Sequence, residues 1–306
     1  MQPLPLPLHA LRGLRALLNG FSQIFLQSHP GCGLLVILAL ALGAPHLLPG
    51  ALLGGLGSMF TAHWRGYPRA DIEIGLYGYN GILLGLLIGA QFSWSPAVPL
   101  LILISAGLSS LVLAPWMRRL RECRWLPAFT CPFVVLGWLL LWLATPLQLQ
   151  LLAAASPAAL PLDWSNGLAA LARGLGQVVF LDHPLSGLCL LLGLLLADRR
   201  CACWALLGSA LGLALALYQG WPEHSALAGL YGYNGALAAI ALSQVHRTPW
   251  LPLLGIALAL LLQPGFSALG LPALTMPFIL ACWLVQAGAE SWKRTVKAGA
   301  PARRTQ

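Results

Sequence analysis

Charge is what this sequence has least of. Of its 306 residues only 8% are Asp, Glu, Lys or Arg, against 58% hydrophobic, and the mean hydropathy is +0.79. A soluble domain carries about 25% charged residues, so the chain lacks the polar surface needed to face water. Cysteine is sparse and unpatterned. Cys32, Cys131, Cys189 and Cys282 sit in or beside apolar runs, where a thiol behaves as a small hydrophobe, and the Cys201-x-Cys203 pair has no second pair to complete a metal site. Neither a metal nor a cofactor is expected. The first twenty residues have no early charged region, long apolar core or small-residue cleavage site, so no cleaved signal peptide is expected.

Basic residues are present, with a net charge of +9, but they cluster in loops and tails. Arg118, Arg119, Arg121 and Arg124 form one group, and Lys293, Arg294, Lys297, Arg303 and Arg304 form another. That placement suits the cytoplasmic loops of a membrane protein and not a nucleic-acid surface. Apolar runs fill the rest, including Leu34–Leu48, Ala97–Leu113, Phe133–Thr145 and Leu251–Leu262. A helix needs about 20 mostly apolar residues to span a bilayer. The fold class is therefore an all-α polytopic membrane protein.

The chain also repeats itself. The stretch GLYGYNG at 75–81 returns unchanged at 229–235, an offset of 154 residues shared by Gln23/Gln177, His29-Pro30/His183-Pro184 and Gly33/Gly187. Further on, LPAFTCPF at 126–133 matches LPALTMPF at 271–278 at an offset of 145. The nine-residue difference falls where the arginine loop of the first half is replaced by a shorter link. Residues 1–150 and 166–290 thus form two repeats, with a linker at 151–165 and a basic tail at 291–306.

Each half reads as six apolar segments, with five crossings and one re-entrant dip, about ten crossings in total. The dips are assigned to 97–114 and 249–263. Arg12, Arg15, the arginine loop and the tail are placed in the cytoplasm with both termini, and the linker, free of Lys and Arg, outside. On this count Arg65, Arg69, Arg199, Arg200 and Arg247 also fall outside. An odd number of crossings inverts one half relative to the other, an architecture that places a transport path at the repeat interface.

No charged residue belongs to the repeat; its duplicated polar groups are Gln23/Gln177, Tyr79/Tyr233, Asn80/Asn234 and Thr130/Thr275. Ion and proton pathways need buried charges, so uncharged groups suit a small neutral polar solute. The prolines of the boxes (Pro127, Pro132, Pro272, Pro277) are expected to break their helices and free carbonyls about four residues upstream, unless they merely kink them. Gln23 and Gln177 either line a pore or bond neighbouring helices. In GLYGYNG the glycines permit close helix approach. Tyr79 and Leu83, like Tyr233 and Leu237, share one helix face and either wall a slot or pack. An enzyme built on His29, His183 or Asp182 is disfavoured, because the polar elements are symmetric duplicates and a catalytic site is normally not.

The duplicated LPxxTxPF boxes, the twin GLYGYNG segments and the G-x-x-Q…P…G segments from Gly20 and Gly174 resemble the urea transporter family, over residues 12 to 290. The resemblance implies a homotrimer in which each protomer passes urea passively, without ion coupling, in a bacterial-type inner membrane. It implies a slot with Gln23 and Gln177 at its polar ends, Thr130 and Thr275 at its middle, and Tyr79/Leu83 and Tyr233/Leu237 as walls. Leu26 and Phe180 follow each glutamine by three residues. The family commonly has phenylalanine where Tyr79 and Tyr233 stand, which leaves open ammonia or another small neutral amide as the solute.

Overall fold

The computed structural model describes residues 6–123, 126–146, 149–152 and 160–299. Within them the chain is helical, and the only β pairing is an isolated bridge between Phe92 and Leu151. The first half contains α1 (Leu6–Gln23), α2 (Pro30–Gly43), α3 (Leu48–Trp64), α4 (Arg69–Glu73), α5 (Tyr79–Gln91), α6 (Ala97–Cys123) and α7 (Cys131–Leu143). The second contains α8 (Trp164–Gly176), α9 (Pro184–Ala197), α10 (Arg199–Tyr218), α11 (Glu223–Leu227), α12 (Tyr233–Val245), α13 (Trp250–Ala268) and α14 (Met276–Gly299). The helices correspond one to one across the repeat. Arg124 and residues 300–306 of the basic tail lie outside the described residues, and α14 runs on past residue 290.

Local sequence explains the breaks. Pro30 and Pro184 open α2 and α9 at the first turn, where a missing N–H costs nothing. His29 caps α2 by accepting from the Cys32 amide at 3.1 Å, a structural task for one of the histidines considered as catalytic. Gly75 and Gly229 open the GLYGYNG stretches with φ of +85° and +83°, a region glycine enters freely. A Cβ on Gly75 would lie 2.4 Å from the Asn19 backbone, so position 75 tolerates no side chain.

The interior is apolar and so is much of the exterior. Leu34, Leu38 and Leu42 of α2 and Leu188, Leu192 and Leu196 of α9 point outward at helical spacing, as they do where lipid replaces water as solvent. The helices α6, α10 and α13 are each long and apolar enough to cross a membrane alone.

This corrects the assignment of the dips. Segments 97–114 and 249–263 lie in the uninterrupted helices α6 and α13, of 27 and 19 residues. At 1.5 Å per residue these reach about 40 and about 28 Å, so neither is a half-membrane excursion. The sharp break in the path lies elsewhere: α8 with its following 3₁₀ turn meets α9 at a bend of 77°.

The arginine assignment changes with it. Arg12 and Arg69 line one cavity with His63 and Glu73, and Arg121 pairs with Asp71 at 2.8 Å. Arg200 donates to the His246 carbonyl at 2.9 Å, and the nearby Gln244 reaches the Leu26 carbonyl at 2.9 Å. Ser28, just beyond Leu26, shares a cavity with Arg12 and Arg15. These arginines from both halves therefore gather at one end, contrary to the expectation that they divide between two faces. The linker marks the other end, where the Ser93 amide bonds Gln150 and the Leu152 amide bonds Gln91 at the C-terminus of α5.

Candidate functional site

Among the described residues four non-glycine residues have positive φ: Leu26 (59°), Phe129 (45°), Phe180 (61°) and Leu274 (44°). Such backbone is uncommon outside glycine and clusters at functional sites. The four are two symmetric pairs, one after each conserved-in-repeat glutamine and one inside each LPxxTxPF box. Both segments of each half converge on the interface between halves.

There Thr130 and Thr275 meet, with hydroxyl oxygens 2.6 Å apart and both residues buried. The boxes around them are held reciprocally. Trp138 Nε1 of the first half donates to the Pro272 carbonyl, and Trp283 Nε1 of the second donates to the Pro127 carbonyl, each at 2.8 Å. Tyr79 Oη donates to the Phe129 carbonyl and Tyr233 Oη to the Leu274 carbonyl, the latter at 2.7 Å. Asn80 Oδ1 accepts from the Phe133 amide and Asn234 Oδ1 from the Phe278 amide, both at 3.2 Å.

The prolines act differently from the expectation. They do not break a helix; each box is an irregular segment entering a helix, with Pro132 or Pro277 in that helix's first turn. Nor are its carbonyls left bare. Those of Leu126, Pro127, Ala128, Phe129 and Thr130 each accept a donor from protein. A carbonyl has two lone pairs, so a singly bonded one keeps acceptor capacity. Leu274 accepts from both Tyr233 and Asn234 Nδ2 and is filled.

Against this centre lies a cavity of about 330 Å³. Gln177, Phe180, Tyr233 and Thr275 line it from the second half, and Leu87, Gln91 and Phe133 from the first. Phe133 and Phe180 pack edge to face at 6.5 Å. The Gln177 amide nitrogen donates to the Ala228 carbonyl at 2.8 Å, which leaves its carbonyl oxygen as the acceptor on that side chain. Among the described residues no Asp, Glu, Lys, Arg or His lines this cavity. Arg173, buried nearby, spends its guanidinium on the carbonyls of Asp182 and Leu227. Its repeat counterpart Asn19 makes the matching bond to the Glu73 carbonyl at 2.7 Å.

Of the remaining sequence-derived residues, Gln23, Leu26 and Tyr79 lie toward the arginine-bearing end. Gln23 Nε2 donates to Ser28 Oγ at 2.7 Å and to the Ile74 carbonyl at 2.9 Å, and Ser28 and Ile74 line a cavity of about 360 Å³ with Arg12, Arg15 and Glu73. Leu83 and Leu237 are fully enclosed and do not line the 330 Å³ cavity. Leu87 and Gln91, one and two turns further along α5, stand there, because α5 approaches the second half's site only with its C-terminal turns. The sequence reading passed over Trp138, Trp283 and Phe133, and placed Asn80 and Asn234 only among the duplicated polar groups of a conduit, with no bracing role. All of them recur at the repeat offsets, which was the signal available.

Comparisons with known proteins place the chain in a family. The family model described as Urea transporter matches residues 14–290. Urea transporter 1 of Ovis aries is 29% identical over 308 residues, covering 90% of this chain and 77% of that protein. Urea transporter 1 of Rattus norvegicus is 30% identical over 305 residues, with 88% and 75% covered. The match runs through both boxes, both GLYGYNG stretches and both glutamine segments, and the chain belongs to the urea transporter family.

Proposed function

We propose that this chain is a passive, uncoupled channel that carries urea down its gradient through a slot between its two halves. One observation carries the reading: a cavity at the interface, lined among the described residues by uncharged side chains, includes Phe133, Phe180, Gln177, Tyr233 and Thr275, and the Thr275 hydroxyl meets that of Thr130 across the interface. Urea is planar and rich in N–H donors. Losing water costs an amide-like solute roughly 2–7 kcal/mol unless another acceptor replaces it. Gln177, the tyrosine hydroxyls and the threonines supply acceptors singly and in sequence, which offsets that cost without forming a deep trap. Gln23, Leu26, Tyr79 and Leu83 serve the first half's end of the path, and Gln177, Phe180, Tyr233 and Leu237 the second's.

In this reading the two halves are inverted and make ten crossings. The re-entrant dips are α1 and α8, which carry polar residues and end at the positive-φ turns of Leu26 and Phe180. Both termini then share the arginine-bearing, cytoplasmic side. Three such protomers assemble in the inner membrane among its lipids, each with its own path.

The test is stopped-flow light scattering on proteoliposomes. The expected result is urea flux well above lipid background, insensitive to sodium and constant from about pH 5 to about pH 8, because among the described residues no group that titrates there lines the cavity. Flux at background for urea sinks the reading. A second reading, a path for ammonia or another small neutral amide, draws on the two tyrosine hydroxyls, which make the slot more polar. The same assay with formamide, acetamide and ammonia separates the two.

A further inference from the structure

A threonine at the N-cap of a helix normally turns its hydroxyl to the backbone N–H of the second or third helical residue, which satisfies one of the orphan donors there. Thr130 is the N-cap of α7, yet its side chain makes no capping bond. Proline occupies the second helical position, so the Phe133 amide at the third is the donor within its reach. That amide is already taken by Asn80 Oδ1, which arrives from α5, 53 residues away. The hydroxyl of Thr130 is thereby free to meet Thr275 across the interface. The second half repeats the device. Thr275 precedes α14, Pro277 stands at its second position, and Asn234 Oδ1 takes the Phe278 amide at 3.2 Å. Asn80 and Asn234 are both fully enclosed.

We propose that Asn80 and Asn234 are positioning residues that cap α7 and α14 from outside those helices and so release the Thr130 and Thr275 hydroxyls to the solute path. This rests on the proposed channel for its flux readout, and on geometry alone for its structural one. The asparagines need not touch the solute. Their effect passes through the threonines, because each amide oxygen occupies the donor that the threonine would otherwise claim. The two are not equal, however. Asn80 Nδ2 is buried with no hydrogen-bond partner among the described residues, whereas Asn234 Nδ2 donates to the Leu274 carbonyl at 3.1 Å and to Gln263 Oε1 at 3.3 Å. The geometric hydrogen bond of Asn80 is made through its oxygen, whereas Asn234 uses both ends.

The experiment compares wild type, Asn80→Ala, Thr130→Val and the double variant for urea flux in proteoliposomes, with a cryo-EM structure of Asn80→Ala. Released from its rival, Thr130 is expected to turn to the Phe133 amide and part from Thr275. Urea flux falls about tenfold, and adding Thr130→Val costs less than about twofold more, because the two changes remove the same group from the path. Asn80→Asp, which retains the capping oxygen, is expected to recover flux to within about threefold and covers the case in which the alanine variant does not fold. Asn234→Asp is expected not to recover, since it sets a carboxylate against the Leu274 and Gln263 oxygens. Losses that multiply in the Asn80/Thr130 double variant overturn the proposal, as does an Asn80→Ala structure that keeps the Thr130–Thr275 contact. A wild type silent toward urea removes the channel reading instead, and the cryo-EM structure still decides the capping.

Discussion

At the scale of single residues, the two tyrosines have changed standing. Each donates its hydroxyl hydrogen to a box carbonyl, so toward a solute it offers only its oxygen lone pairs. The sequence left Tyr79 and Tyr233 between packing and pore lining; in the structure both hydroxyls brace the boxes and Tyr233 lines the cavity. Replacing both by phenylalanine removes two buried hydrogen bonds, each worth about 1 kcal/mol, and, in the proposed slot, takes away two hydroxyls. The expected outcome is a lower melting temperature and several-fold faster passage of N-methylated ureas relative to urea, measured by thermal denaturation and competing stopped-flow traces. An unchanged ratio of the two solutes would show that the hydroxyls do not face the path. None of this was legible from residue type, because a tyrosine's partner depends on which carbonyl the fold places before it.

Between helices, the glycines carry the argument. The helices α3 and α5 pack along Gly50 and Gly54 against Gly85 and Gly81, where a Cβ on Gly54 would lie 1.9 Å from the Gly81 carbonyl oxygen. Gly167, in α8, has nothing within 4 Å of its missing Cβ. Gly54→Ala is therefore expected to cost at least about 1–3 kcal/mol by overpacking and to lower the detergent-solubilised melting temperature. Gly167→Ala is expected to leave it unchanged or raise it slightly, since alanine favours helix. Equal effects would mean that α3 and α5 do not pack as described. The small-residue spacing announced close packing, but the partner of each glycine is set by the three-dimensional arrangement. The same limit explains the misplaced dips. Hydropathy ranks 97–114 no differently from a crossing segment, and length became decisive only when α6 proved continuous through Pro115 to Cys123.

For the whole molecule, the arrangement gathers Arg12, Arg15, Arg69, Arg121 and Arg200 at one end and the linker at the other. Single cysteines at Arg69 and Arg200, in a background cleared of the exposed native thiols Cys123 and Cys203, are expected to react with a membrane-impermeant reagent from the same side of the bilayer. Labelling from opposite sides would overturn the shared end. In the proposed topology this gathering sharpens the charge bias that fixes orientation, which the sequence-derived count of crossings had blurred.

Composition and repetition alone determined that the chain lives in a membrane, that it has two related halves, and that its duplicated groups are polar without charge. These are statements about solvent and periodicity, and a linear sequence records both. Only the tertiary structure decided that Thr130 meets Thr275, that each tryptophan braces the opposite half's box, and that an asparagine from α5 or α12 caps a helix belonging to another segment. Those contacts join residues 44 to 156 positions apart. A hydrogen bond is a matter of ångströms and direction, and no local pattern carries that information across such a distance.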